Sequence, residues 1–227
     1  VIGFDGLEPE DISGIDQTLD MWDGVVRSSF RVRGEAVEVL TSCDPSADIV
    51  AVSVNTPARL PVAFRFPYPT GAHADDACDW SRDDLHETTL EESGNGVAVL
   101  RHTLGGTEYY VKLNFDGASL SRTGRNALLL TPDADSWSFT AEFCPEHPST
   151  EACDAASSRE ASSEYWNTFW KDGGVVDFSA CTDPRAAELE RRVVLSQYLL
   201  AVQCCGDVPP QETGLTYNSS VSYTHLT

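Results

Sequence analysis

The most chemically suggestive run in the chain is residues 205–218, where Gln211, Glu212, Thr213 and Asn218 lie on a segment broken by two prolines and two glycines. Amide, carboxylate and hydroxyl groups gathered on irregular backbone suit a polyhydroxylated ligand, because every sugar hydroxyl both donates and accepts. Glu212 reads as a subsite contact or a structural hydrogen-bond partner, and Gln211, Thr213 and Asn218 as hydroxyl contacts. A capped connection between helices, with no ligand, has the same composition. Trp166 and Trp170 could offer a stacking face, although aromatic residues at helical spacing are more often core. Other chemistry is scarce. There is no glycine-rich phosphate loop, no His-Glu-x-x-His and no Gly-x-Ser-x-Gly. His73, His86, His102 and His147 show no paired spacing and read as surface or packed residues. The seven cysteines include no Cys-x-x-Cys pair, so neither a structural zinc nor any other cofactor is expected. Cys144 and Cys153 flank a proline-containing stretch across which a bridge could close, and Cys204-Cys205 reads as small core filler.

Two kinds of element must position these residues. Residues 25–33, 36–40, 49–54, 61–66, 96–104, 107–115, 127–131 and 136–143 read as short strands separated by turn residues. Gly105-Gly106 suits a two-residue hairpin turn. This predicts an antiparallel sandwich of seven or more strands. Residues 68–92 carry eight Asp or Glu, and they read as a long surface excursion because so much charge resists burial. After Pro148 the period turns helical. Ser157 and Glu160 have capping-box spacing, and Gly173-Gly174 should stop that helix. Asp183-Pro184 then supplies a cap and a first-turn proline for a helix to about Cys205. Its first half is amphipathic, with Glu188 one turn before Arg192. Its second half, residues 193–202, is apolar nearly all round, as in a helix enclosed by neighbours.

Charge narrows the partners. The 227 residues hold 36 Asp and Glu against 15 Lys and Arg, a net charge of −21. Such a chain repels phosphate backbones and anionic lipid, so neither nucleic acid nor a membrane is an expected partner. A hydrophobic fraction of 41% is ample for a folded core, and no apolar run approaches a bilayer span. The acidic surface mildly favours an extracellular or periplasmic setting. Val1 is not an initiator methionine. Residues 221–227, Val-Ser-Tyr-Thr-His-Leu-Thr, resemble a translated sequencing-library adapter, so the natural chain is expected to continue differently beyond residue 220.

A family resemblance adds to this reading. Residues 17–26, Gln-Thr-Leu-Asp-Met-Trp-Asp-Gly-Val-Val, resemble the leucine-aspartate, then glycine-valine strand entry of glycoside hydrolase family 65, the trehalases and maltose phosphorylases. Residues 209–216, which contain Gly214-Leu215, resemble the loop after the first barrel hairpin there and in the α-L-fucosidase family 95. The chain thus looks like a six-hairpin glycosidase. The resemblance implies a mainly β α+β chain: a β-supersandwich over residues 1–147, a linker helix and extended bridge over 148–182, and the start of an (α/α)6 barrel over 183–220. It implies cleavage of a glycosidic bond, by hydrolysis with inversion at an α-linked sugar, in an oligosaccharide or glycoside. Nothing before residue 220 matches the paired carboxylates this needs, so the catalytic residues are expected beyond it and this piece is expected to be inactive. Two alternatives stay open: a non-catalytic carbohydrate-binding sandwich, and a phosphorylase of the same fold. The helix over 183–205 separates enzyme from binding module, because the module requires its apolar half covered within this chain.

Overall fold

The computed structural model describes residues 1–72, 78–149, 151 and 153–206. Among the described residues fourteen strands appear, joined mostly by tight turns. They are β1 (Ile2–Phe4), β2 (Ile12–Asp20), β3 (Val25–Val32), β4 (Glu35–Cys43), β5 (Ile49–Asn55), β6 (Val62–Arg65) and β7 (Tyr68–Pro69). After these come β8 (Cys78–Asp79), β9 (His86–Gly94), β10 (Val97–Leu104), β11 (Thr107–Asp116), β12 (Ala118–Gly124), β13 (Ala127–Pro132) and β14 (Ser136–Cys144). Two helices follow, α1 (Ala155–Phe169) and α2 (Ala186–Gln203). The chain divides into two compact units, residues 1–166 and 167–227.

The first unit is a sandwich of antiparallel sheets. Eight strands run in the order β2-β3-β4-β5-β14-β11-β10-β9, four in the order β1-β6-β13-β12, and β7 pairs with β8. Alternation along the strands sends one set of side chains between the two large sheets. Val54, Leu100, Leu113, Trp137 and Phe139 from the larger sheet meet Phe64, Leu128 and Leu130 from the smaller. Phe64 and Phe139 pack edge to face with centroids 5.4 Å apart. At about 1.5–3 kcal/mol for each large side chain buried, this layer is the main source of stability in the unit.

The opposite face of the large sheet is covered in part by α1. Val25, Ser42, Ala51, Thr140 and Asn114 form one cross-strand row, and all five are buried. Above it the chain approaches on small side chains: the buried positions of α1 are Ala155, Ser158 and Ser162. Thr140 Oγ1 donates to the Cys153 carbonyl at 2.8 Å, and Ser162 Oγ to the Asp23 carbonyl at 3.2 Å. The turn between β2 and β3 fits beneath the helix because Gly24 has no side chain. Its φ is +67°, and a Cβ built there would lie 2.6 Å from Ser162 Oγ and closer still to the Trp166 indole. Lys112 is buried beside this seam, 3.3 Å from Glu142 across the strand pair and donating to the Glu151 carbonyl.

Most of the predicted strands form where the sequence places them, and β10 and β11 close across Gly105-Gly106. Four readings are corrected. Residues 68–92 are not one surface excursion. Their last third is β9, whose alternation buries His86 and Thr88 while Glu87 and Glu91 point away from that layer. The first helix starts under Asp154 rather than Ser157, because the Asp154 carboxylate accepts from the Ser157 amide at 2.8 Å. Cys144 and Cys153 are free thiols, so no bridge joins them. Cys204 and Cys205 are exposed and fill no core.

The second unit contains α2. Gly173 ends the preceding turn at φ +120°, as the glycine pair suggests. α2 begins two residues later than the Asp183-Pro184 signal suggests: its N-cap is Arg185, with no side-chain cap. Asp183 Oδ1 instead accepts from the Arg185 amide at 2.9 Å ahead of the helix, while Glu188 holds Arg192 and Arg191 at 2.7 and 2.8 Å. No residue of α2 is buried: Leu189, Leu195, Leu199 and Leu200 are 53%, 37%, 41% and 63% exposed. No helix among the described residues is long and apolar enough to cross a membrane.

Candidate functional site

The four residues singled out by type, Gln211, Glu212, Thr213 and Asn218, lie outside the described residues, as does His73. Of the two tryptophans, Trp170 is buried and presents no face to a ligand. Trp166 is partly buried with its indole against Gly24 and the Tyr165 ring at 5.3 Å. Both belong to packing. Among the described residues no three His, Cys, Asp or Glu side chains are grouped to hold a metal ion.

The fold does unite two histidines that the sequence leaves scattered. β9 and β10 run antiparallel with Thr88 opposite His102 and His86 opposite Leu104, so the two imidazoles meet with centroids 5.2 Å apart. His102 is clasped further by Phe66, stacked at 5.1 Å, and by Tyr109 at 5.0 Å. Thr88 Oγ1 donates to Asn126 Oδ1 at 3.0 Å. That uses its only proton, so His102 must donate from Nδ1 to the same hydroxyl at 2.9 Å. Asn126 in turn donates to Asp83 Oδ1 at 2.8 Å, and Arg122 to the Thr88 carbonyl at 2.7 Å. Burial first, and then neighbouring His86, push the His102 pKa down to about 4. His102 is therefore a neutral imidazole at neutral pH. The network joins the edge of the large sheet to the β12–β13 turn of the small one. Most of its polar atoms are engaged with one another, the buried His86 Nδ1 being an exception, and this suits a brace better than a catalytic group. The hydrogen-bonded residues are 14 to 43 positions apart, so periodicity gave no warning of it.

A second feature is open to solvent. Where α1 leaves the large sheet uncovered, a groove of about 910 Å³ runs across β2, β3, β4, β5 and the start of β14. One row of its floor is Asp16, Ser29, Glu38, Asn55 and Ser136, each opposite the next in the strand register. The adjacent row is Thr18, Arg27, Leu40 and Ser53, and Arg159 of α1 leans in to reach Ser53 Oγ at 3.3 Å. The groove carries two carboxylates and two guanidinium groups among hydroxyls and an amide. Arg27 faces Asp23 at 3.5 Å, and Asn55 faces Glu38 at 3.4 Å.

No family model matches the chain, and no curated protein matches its sequence. Its fold does match a solved structure, described as "Putative kojibiose phosphorylase from human microbiome", with a TM-score of 0.50 and 10% identity. The match covers 89% of this chain and 30% of that one. At such identity the likeness concerns fold alone. In that respect the chain is similar to the sheet-rich part, with its first helices, of a six-hairpin-glycosidase architecture.

Proposed function

We propose that these residues are the sandwich and first barrel helix of a carbohydrate-active enzyme that cleaves a glycosidic bond. The observation that carries the reading is α2. It follows a sandwich of the matching fold, its second half is apolar, and none of it is buried. A binding module complete in itself would cover such a helix; a barrel helix is covered by others of its kind. On this reading residues 1–147 are scaffold, 148–182 linker and 183–220 the opening of the barrel. Gln211, Glu212, Thr213 and Asn218 contact sugar hydroxyls at its mouth. The reaction is inverting hydrolysis of an α-linked sugar. An acid protonates the leaving oxygen while a base, about 6.5–9.5 Å away, activates water, both carboxylates coming from beyond residue 220. The name attached to the structural neighbour favours a second reading, in which inorganic phosphate takes the place of water.

The test is to express the whole reading frame and the 227-residue chain separately. Each is offered α-linked disaccharides with and without phosphate, and the product anomer is followed by NMR. Turnover by the whole protein alone, giving a free sugar of inverted configuration, supports hydrolysis, and a sugar phosphate supports the second reading. Turnover by the 227-residue chain, or none by the whole protein, overturns the proposal.

A further inference from the structure

We infer that the groove across β2 to β5 is a binding groove for a neutral, extended oligosaccharide. The proposal takes only the ligand class from the reading above. Three features of the groove argue for it.

The first is its dimensions. A volume of about 910 Å³ lies at the large end of ligand sites. Its floor row crosses five strands, and at about 4.8 Å between strands it extends about 19 Å. One polar side chain per strand gives a repeat close to the length of one pyranose unit.

Charge is the second. Asp16 and Glu38 balance Arg27 and Arg159 in the lining, and Asp23 faces Arg27 as well, so no positive excess remains in a chain whose net charge is −21. A phosphate, nucleotide or anionic glycan finds no net attraction here and is repelled by the rest of the surface. A neutral polyol does match, because the lining alternates acceptors (Asp16, Glu38) with groups that donate (Ser29, Asn55, Arg27).

The third is that the contacts of the two floor rows are weak, although Ser28 beside them accepts from Gln17 at 2.9 Å. Arg159 with Ser53, Asn55 with Glu38, and Arg27 with Asp23 stand at 3.3, 3.4 and 3.5 Å, the long end of hydrogen bonding. Incoming hydroxyls can replace them at little loss. No aromatic side chain lines the groove, so binding rests on hydrogen bonds, with a Kd on the order of 1 mM.

The test is an amide-shift NMR titration of the 227-residue chain with maltotetraose and with cellotetraose. The expected result is saturable shifts at Asp16, Arg27, Ser29, Glu38 and Asn55 with one of them. Glu38→Ala or Asn55→Ala should weaken binding about fivefold, the loss of one hydrogen bond, and Ser29→Trp should fill the groove and abolish it. Each spectrum reports whether its variant is folded, and Asn55→Ala gives the reading if Ser29→Trp does not fold. No saturable shift with either sugar up to about 50 mM overturns the proposal. So do shifts mapping to another face, or unchanged binding by folded Ser29→Trp. Because no turnover is measured, the groove can fail while the enzyme reading stands, and the reverse.

Discussion

Replacing Gly24 by alanine isolates the joint between α1 and the large sheet. Two penalties combine at this position. The backbone sits at φ +67°, where an L-residue with a Cβ loses about 1–2 kcal/mol. The new methyl also lies 2.6 Å from Ser162 Oγ and closer to the Trp166 ring, so helix or turn must shift, at about 1–3 kcal/mol for overpacking. The expected total is about 2–5 kcal/mol. Gly34 is the internal control: its φ is +91°, and a Cβ there meets nothing within 4 Å. Gly34→Ala should therefore lose the backbone part alone. Urea unfolding followed by circular dichroism compares the two, and Trp166→Ala serves as the second corner of a double-mutant cycle. Removing the indole should bring the Gly24→Ala penalty down toward that of Gly34→Ala. If Gly24→Ala is no more destabilising than Gly34→Ala, the close approach of α1 is not what fixes a glycine here.

His102 makes the sandwich sensitive to acid. Its folded pKa of about 4 lies below the ordinary 6.5, so the unfolded chain binds the proton more readily. Stability from this group is complete above about pH 6.5 and falls as the pH drops toward 4, by about 3 kcal/mol in all. Unfolding free energies from urea melts at pH 7 and pH 4 should differ less in His102→Gln than in the unaltered chain by that amount, and equal pH dependence would refute it. Lys112 and Glu142 should respond asymmetrically, since a buried cation is harmful when unpaired. Glu142→Ala should lose about 3 kcal/mol and Lys112→Met less, and the reverse order in urea melts would contradict the burial of Lys112. On α2, Leu200→Asp in this chain should change stability by less than about 0.5 kcal/mol. Leu113→Ala, in the sandwich core, should lose about 2–5 kcal/mol in the same melts. Equal losses would mean that α2 is enclosed after all.

The linear sequence was enough for whatever depends on neighbours along the chain. Alternation marks strands such as β3, β5 and β13, whereas β6, β10, β11 and β14 bury consecutive residues and are marked by strand-forming runs between turn signals. Gly105-Gly106 specifies its hairpin, and Gly173 ends a helix by its backbone freedom. The apolar run of α2 gave both its helical form and its lack of cover in this chain. Local reasoning failed where a partner from elsewhere decides. β9 looked like solvent-facing charge because Glu87, Glu91 and Glu92 outweigh the two polar residues, His86 and Thr88, that it buries; only the network with His102 and Asn126 makes that burial acceptable. β2 hides its alternation behind a break in register between Ser13 and Asp16. The groove's residues span positions 16 to 159 and acquire a common face solely through the pairing of five strands. Strand and helix type were thus set by each segment's own side chains, whereas the brace and the groove were set by register, which no single segment encodes.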